Sequence, residues 1–428
     1  MLLALVVILI IAALLFVRRQ YTYWDHVGIP SIKAEFPFGN IKSVAKSQKS
    51  FGVALYDLYK QTKEPFIGIY LFFRPAILIR DAEMVKNILT RDFQHFHDRG
   101  VYCDPKRDPM SGNLFALPVA FGLEGVSTIN NPEHEFRTTG KKVSGNDGFV
   151  HVIRRAASFV CPGLLKILRM NSLPDYVKDF CMRMVTNTID EREKHNVVKK
   201  DLMQYLIQLR NNSANKLEAD EWKIGSGKKN YSGKSMKNMS YEEIAAQVFI
   251  FYIAGSESSS ANVAFTLYEL TQDQELMDRA LEDIKSTLDE HDGEMTYEAV
   301  MDMKFIELCV KETLRKYPFP LLNRTPIIIS LLGIHRDEKF FPNPEKYDPD
   351  RFTEEKRNYD ESMYMPFGAG PRNCIAFRMG LMVAKLAIVL LLKNYKFEAA
   401  RTEEIEFDYG SIPLVPKPGH CVVKILQK

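Results

Sequence analysis

The chain has 428 residues, 46% of them hydrophobic, with 57 Lys and Arg against 54 Asp and Glu for a formal charge of +3. That length can bury a large core and alone would suggest two or three domains, while so mild a basic excess, with no dense basic patch interleaved with aromatics, excludes a nucleic-acid footprint. The six cysteines, Cys103, Cys161, Cys181, Cys309, Cys374 and Cys421, show no CxxC spacing, no disulfide framework and no zinc pattern, so the bulk of the chain belongs in a reducing compartment.

MLLALVVILIIAALLFV, Met1 to Val17, is uncharged and apolar throughout, and Arg18 and Arg19 follow at once. A cleaved signal peptide would carry its positive charge before the apolar run and an A-x-A-like site after it. Residues 1–19 therefore read as a membrane anchor, at the lower edge of spanning length. The two arginines place the following residues in the cytosol, with Tyr21, Tyr23 and Trp24 as an aromatic belt. Residues 20–40, with Pro30 and Pro37 between glycines, read as a short stiff connector, and 41–428 as the globule.

The periodicity of the globule is mainly helical. Phe66 to Arg80 is the exception: two β-like runs broken near Arg74-Pro75, followed by a helix N-capped by Asp81. Asn171 to Gln208 reads as amphipathic helix, and Lys223 to Ser240 as a polar, glycine-rich surface loop. Ser240-Tyr241-Glu242-Glu243 is a capping box that opens a long helix, apolar on nearly all sides and so expected to be buried. Its middle, AGSESSS, breaks the pattern. Gly255 costs about 1 kcal/mol against alanine, and Glu257 needs a partner, a proton or a water-filled cavity. A core helix whose serines bond back to its own carbonyls accounts for this stretch, as does a point admitting water and protons to a central cofactor. Phe249, Phe251, Leu321 and Leu322 suggest an apolar, aromatic-lined pocket.

Glu312 and Arg315, three apart in ELCVKETLRKYP, share a helix face, and Arg351 in NPEKYDPDRF could close a buried network with them. PFGAGPRNCIAFRMG, residues 366 to 380, places Cys374 where a glycine-rich loop turns into an apolar helix. Most such cysteines are inert small hydrophobes. Here Gly368 and Gly370 permit tight turns, and a sulfur facing the amides of a helix start is stabilised as thiolate, which soft metal centres bind.

Phe367 to Ala376 matches F-x-x-G-x-R-x-C-x-G/A, and the chain resembles the cytochrome P-450 superfamily. Glu312 and Arg315 match its ExxR, Pro349 to Phe352 its P-x-R-F, and Ala254 to Ser258 its A-G-x-E-T with serine for threonine. The flanks are similar to microsomal, xenobiotic-metabolising members of arthropods. The resemblance implies a mainly α fold with small β-sheets and haem b (iron protoporphyrin IX) as cofactor. Cys374 would be its iron ligand, with Phe367 and Gly370 shaping the cofactor-binding loop and Arg372 and Arg324 meeting its propionates. Glu312, Arg315 and Arg351 would form the structural network, and Glu257 and Ser258 would deliver protons. Electrons would come from NADPH through a flavoprotein reductase, with cytochrome b5 as a second donor. The implied reaction inserts one oxygen atom of O₂ into a lipophilic small molecule at the endoplasmic reticulum membrane, the globule facing the cytosol.

Two stretches of the family pattern are absent. The helix bearing W-x-x-x-R and its neighbours should follow Leu117, yet Pro118 leads into a segment resembling a later part of the family. A small β hairpin is missing between Arg324 and Thr325. The clean resumption of similarity on both sides favours lost coding segments of a real monooxygenase over a degenerate paralogue that binds haem weakly. A haem or hydrophobe binder without oxygen chemistry would tend to lose the acid–alcohol pair, which Glu257-Ser258 retains.

Overall fold

The computed structural model describes residues 15–96, 101–112, 154, 157–158, 162–199, 201–211, 239–318, 321–322, 327–357, 359–400, 405–409, 414–417 and 419–427. The anchor residues 1–14, the first gap after Leu117, residues 223–238 of the basic loop and Arg324 lie outside them. Among the described residues no helix is long and apolar enough to cross a membrane.

The chain divides into two compact units, one of Met1–Val101, Ser144–Asn146 and Ser256–Lys428, the other of Tyr102–Val143 and Asp147–Gly255. In the first, a helical stretch at 15–21 is followed by the short helix α1, Tyr23–Val27, and the helix α2, Phe51–Lys60. Strands β1, Phe66–Leu71, and β2, Arg74–Ile79, pair antiparallel, Phe66 against Ile79 through Leu71 against Arg74. The turn thus falls at Phe72-Phe73, two residues earlier than expected, with Phe72 at φ 54. Pro75 is tolerated inside β2 because β4, Ile327–Ile329, pairs with it in parallel only from Ile77 onward, so the missing proline N–H interrupts no bond on that side. With β3, Leu321–Leu322, the sheet order is β1-β2-β4-β3. Helix α3, Ala82–Leu89, follows β2, its cap made by the Met84 amide donating to Asp81 Oδ1 at 2.8 Å.

Trp24 packs on β1 rather than standing out as a belt residue would. It is 4% exposed, lies over Gly68, where a Cβ would meet its ring at 2.7 Å, and donates from Nε1 to the Ile69 carbonyl at 3.0 Å. The apolar body and single donor of an indole suit such a docking place. Tyr23 remains exposed. The residues read as a connector run beside β1, with bridges from Ser31 to Gly68 and from Gly39 to Leu71.

The second unit contains α4, Asp175–His195, and α5, Leu202–Arg210. These are two helices, where amphipathic periodicity suggested one: Asn196 takes the left-handed conformation at φ 51 and ends α4, a role asparagine fills at low cost. Val177, Phe180, Val185, Leu206 and Ile207 form this unit's core with Ile244 and Phe249. Phe249 is thus a core residue, 6% exposed, because the face that periodicity marks as apolar packs on α4 and α5.

Helix α6, Tyr241–Gln272, is unbroken. Its capping box forms as read, Glu243 N donating to Ser240 Oγ at 3.1 Å and Ser240 N to Glu243 Oε2 at 2.8 Å. Among its serines, Ser260 bonds back to the Ser256 carbonyl one turn earlier at 2.7 Å. In the first unit follow α7, Gln274–Glu290, α8, Tyr297–Asp302, α9, Lys304–Lys316, α10, Leu331–His335, and α11, Phe377–Asn394. A hairpin of β5, Tyr395–Ala399, and β6, Val423–Gln427, follows. Leu267, Leu270, Ala280, Ile284, Ile306, Val310, Ile388 and Leu392 make the main core.

One apolar surface of this unit is open. Part of α6, α11 and the β5–β6 hairpin line a cleft of about 530 Å³ with Val263, Leu267, Val383, Leu391, Phe397 and Ile425. Ala254 to Ser256 are exposed, against the expectation of a helix buried on all sides. At about 100° per residue, Ser256, Ser260, Val263 and Leu267 form the cleft face, and Ser258 points roughly to the opposite side.

Candidate functional site

The Arg315 guanidinium organises the site. Its side chain and that of Glu312 are 0% exposed. Arg315 Nε donates to Glu312 Oε2 at 2.8 Å and Nη2 to Oε1 at 2.7 Å, a bidentate pair within α9. Its remaining donors reach the His335 carbonyl at 2.7 Å, from Nη1, and the Pro344 carbonyl at 2.7 Å, from Nη2. Arg351 Nε stands 3.5 Å from Glu312 Oε2, its Nη1 donates to the Pro342 carbonyl at 2.7 Å, and the Asp348 amide donates to Glu312 Oε1 at 3.0 Å. The structure brings all three of these residues together, and bonds of this charge-assisted kind are the strong ones.

His335 is a participant that sequence reasoning passed over. It is fully buried, accepts on Nε2 from the Met365 amide at 3.3 Å and stacks on Tyr364 at 5.8 Å. Burial first, and then the Arg315 charge, push its pKa down to about 3. The available signal was its place at the end of an apolar run, TPIIISLLGIH, where a lone histidine must be held neutral.

The loop that follows carries Phe367, Gly370, Arg372 and Cys374. Gly368 and Gly370 take φ 75 and 69, the left-handed region that suits glycine. A Cβ on Gly370 would land on the Leu89 carbonyl oxygen, so the loop lies backbone to backbone on the end of α3. The Cys374 amide donates to the Phe367 carbonyl at 2.7 Å and closes the turn. Helix α11 begins at Phe377, three residues after the cysteine; the expected start at Cys374 is too early because that amide is spent on the loop. Cys374 is exposed, Arg372 and Phe367 are half-buried, and Phe367 meets Phe377 at 6.2 Å. Beside the loop is a cleft of about 240 Å³ lined by Lys311, Tyr364, Phe367, Asn373 and Leu381. Glu257 and Ser258 lie on a different element, both half-buried on α6.

Burial separates the cysteines. It pushes the thiols of Cys181 and Cys421 up to about 12 and that of Cys309 higher still, so these are inert. Among the described residues no group of three or more His, Cys, Asp and Glu could hold a metal ion. One exposed sulfur on a rigid loop fits an iron whose other ligands come with a prosthetic group.

The family model described as Cytochrome P450 matches residues 164–325 and, separately, 321–423. The chain is 39% identical over 510 residues to a probable cytochrome P450 6d5 of Drosophila melanogaster, covering 98% of this chain and 99% of that protein. It is 38% identical over 511 residues to cytochrome P450 6d3 of Musca domestica, with 98% of each covered. To cytochrome P450 6a2 of Drosophila melanogaster the identity is 30% over 488 residues, covering 93% of this chain and 94% of that one. The chain belongs to the cytochrome P450 family, whose members are haem monooxygenases supplied with electrons by a redox partner.

Two outcomes follow from the buried network. Glu312→Ala strands two buried guanidinium groups and should cost about 3–5 kcal/mol, read by equilibrium unfolding; a loss within experimental error would mean that the pair is not buried as described. For His335, the unfolded imidazole titrates near 6.5 and the folded one near 3. Between those values the unfolded chain binds the extra proton, so stability rises with pH and is lost as pH falls through that window. From pH 6.5 to 5 the loss should be about 2 kcal/mol. His335→Gln should flatten that part of the profile, and an equal fall in both proteins would place the pH dependence elsewhere.

Proposed function

We propose that this protein is a membrane-anchored monooxygenase that inserts one oxygen atom of O₂ into lipophilic small molecules, using NADPH-derived electrons delivered by a flavoprotein reductase, with cytochrome b5 as a second donor. The observation that carries the reading is Cys374: an exposed sulfur on a loop held by two left-handed glycines and by a backbone contact with Leu89. Haem b held by that sulfur would supply the O₂ activation that lets one oxygen atom enter the substrate and the other leave as water. The protein's own groups have distinct tasks. Phe367 would pack against the cofactor near the sulfur. Arg372 and Arg324 would pair with its propionates, Arg324 lying outside the described residues. Glu312, Arg315 and Arg351 would hold the loop to the core, while Glu257 and Ser258 would pass protons inward from solvent. Basic residues beside the loop, Lys311 and Arg378 among them, would meet acidic residues of the reductase. Residues 1–19 would anchor the chain in the endoplasmic reticulum membrane, with the globule in the cytosol.

We also infer that two internal segments are missing. Supporting this, the alignments with the 6d relatives run over 510 and 511 residues where this chain has 428. The family matches stop and restart at residues 321–325, and an apolar face of α6 and α11 lies open. An open face of that kind favours aggregation.

The dithionite-reduced, CO-bound protein should give the red-shifted Soret band of thiolate ligation, and Cys374→Ala should abolish it; retention of the band in the variant would sink the assignment. Expressed beside a version with both segments restored from the 6d5 relative, the chain should hold less haem per polypeptide and oxidise few lipophilic probes with NADPH and reductase. Equal haem content and turnover would refute the inferred gaps.

A further inference from the structure

Asn262 stands out in the interior of the first unit. It is only 7% exposed, and among the described residues neither its side-chain nitrogen nor its oxygen has a hydrogen-bond partner. A buried primary amide carries two donors and an acceptor, and native structures leave such groups satisfied by protein or by water.

Its position narrows the partner. Ser258, Asn262 and Thr266 follow at intervals of four on α6 and so share one stripe, on the side away from the apolar cleft. Below Asn262, Thr266 Oγ1 donates to the Asn262 backbone carbonyl at 2.8 Å and lies 2.8 Å from Thr313 Oγ1. Thr313 lies 3.1 Å from the Tyr347 hydroxyl, which donates to the Cys309 carbonyl at 2.8 Å. The hydroxyl protons are committed within this chain, so it has no donor to spare for the Asn262 side-chain oxygen, and the side-chain nitrogen makes no bond to it. The next position up the stripe is Ser258. Consecutive turns are about 5.4 Å apart, a spacing that one water spans.

We propose that Asn262 is a positioning residue for Ser258, its amide holding a water against the Ser258 hydroxyl so that the hydroxyl keeps one orientation. Serine lacks the methyl that stiffens χ1 in threonine; the Asn262 water adds a restraint on the hydroxyl from below. The Thr266–Thr313–Tyr347 chain fixes the Asn262 backbone and so the height of the amide. This rests on the reading of Ser258 as the proton-passing hydroxyl.

Two measurements test it. In crystal structures of the protein without haem, an ordered water should bond both the Asn262 amide and the Ser258 hydroxyl, and should be lost in Asn262→Leu. A protein group satisfying the amide, or no water there, overturns the proposal. In the version with both segments restored, loaded with haem and supplied with reductase, product per NADPH and the solvent deuterium isotope effect are compared for the unsubstituted protein, Asn262→Leu, Asn262→Ser and Ser258→Ala. Asn262→Leu should lose product in favour of hydrogen peroxide and change the isotope effect, while Asn262→Ser, which keeps a polar tip and room for water, should retain most of the coupling. Loss in Ser258→Ala with none in Asn262→Leu overturns the role of Asn262 alone. No change in Ser258→Ala overturns the reading of Ser258 beneath it.

Discussion

A guanidinium cannot shed its proton inside a protein, so the fully buried Arg315 requires oxygen atoms wherever its nitrogens point. Glu312, one turn back on α9, supplies two, and the His335 and Pro344 carbonyls supply others. This requirement explains how the largely irregular stretch from 335 to 352 is held in place without a ladder of its own. The ordered stretch then places the next one. His335 receives the Met365 amide, the Tyr364 hydroxyl donates to the Lys311 carbonyl at 3.0 Å, and the cysteine loop begins there.

The open face of α6 belongs to the same account from the other direction. A helix apolar on nearly every side has no solvated face to choose, so its sequence asks for neighbours all round. Around Ala261 and Phe265 it has them: Phe265 stacks on Tyr317 at 4.1 Å, and Tyr317 donates to Glu269. Along Ser256, Ser260 and Val263 it has the cleft. The helix is therefore held unevenly, with Thr266 and Glu269 bonded to Thr313 and Lys316 of α9 on one side and the cleft on the other.

Features set by neighbouring residues were legible in the sequence. The Asp81 cap, the Ser240–Glu243 box and the β1–β2 hairpin each need only a few adjacent side chains, and the structure contains all three. Features that depend on distant partners were not. Nothing beside Trp24 says that Gly68 leaves a place for its ring, and nothing beside Phe249 distinguishes a pocket wall from a core position against α4. The break at Asn196 is local, yet asparagine in a polar run carries too weak a signal to divide two amphipathic stretches. Glu312 and Arg315 could be paired by spacing, whereas their complete burial depends on carbonyls some twenty to thirty residues onward. Asn262 carried no signal at all, since an amide in a helix is unremarkable until its surroundings prove empty of partners.

The placement of Cys374 shows why its loop tolerates so little secondary structure. Upstream, the chain is held at Met365 by His335; downstream, Gly370 sits against the Leu89 carbonyl. Between these points the Cys374 amide reaches back to Phe367. Each restraint acts on the loop's backbone, two of them from backbone partners and one from the His335 imidazole, and each draws its partner from the first unit: α10, α3 or the loop itself. A side chain at Gly370 would separate the loop from α3 and release the downstream restraint. The sulfur therefore owes its place to the network around Arg315 and to one glycine.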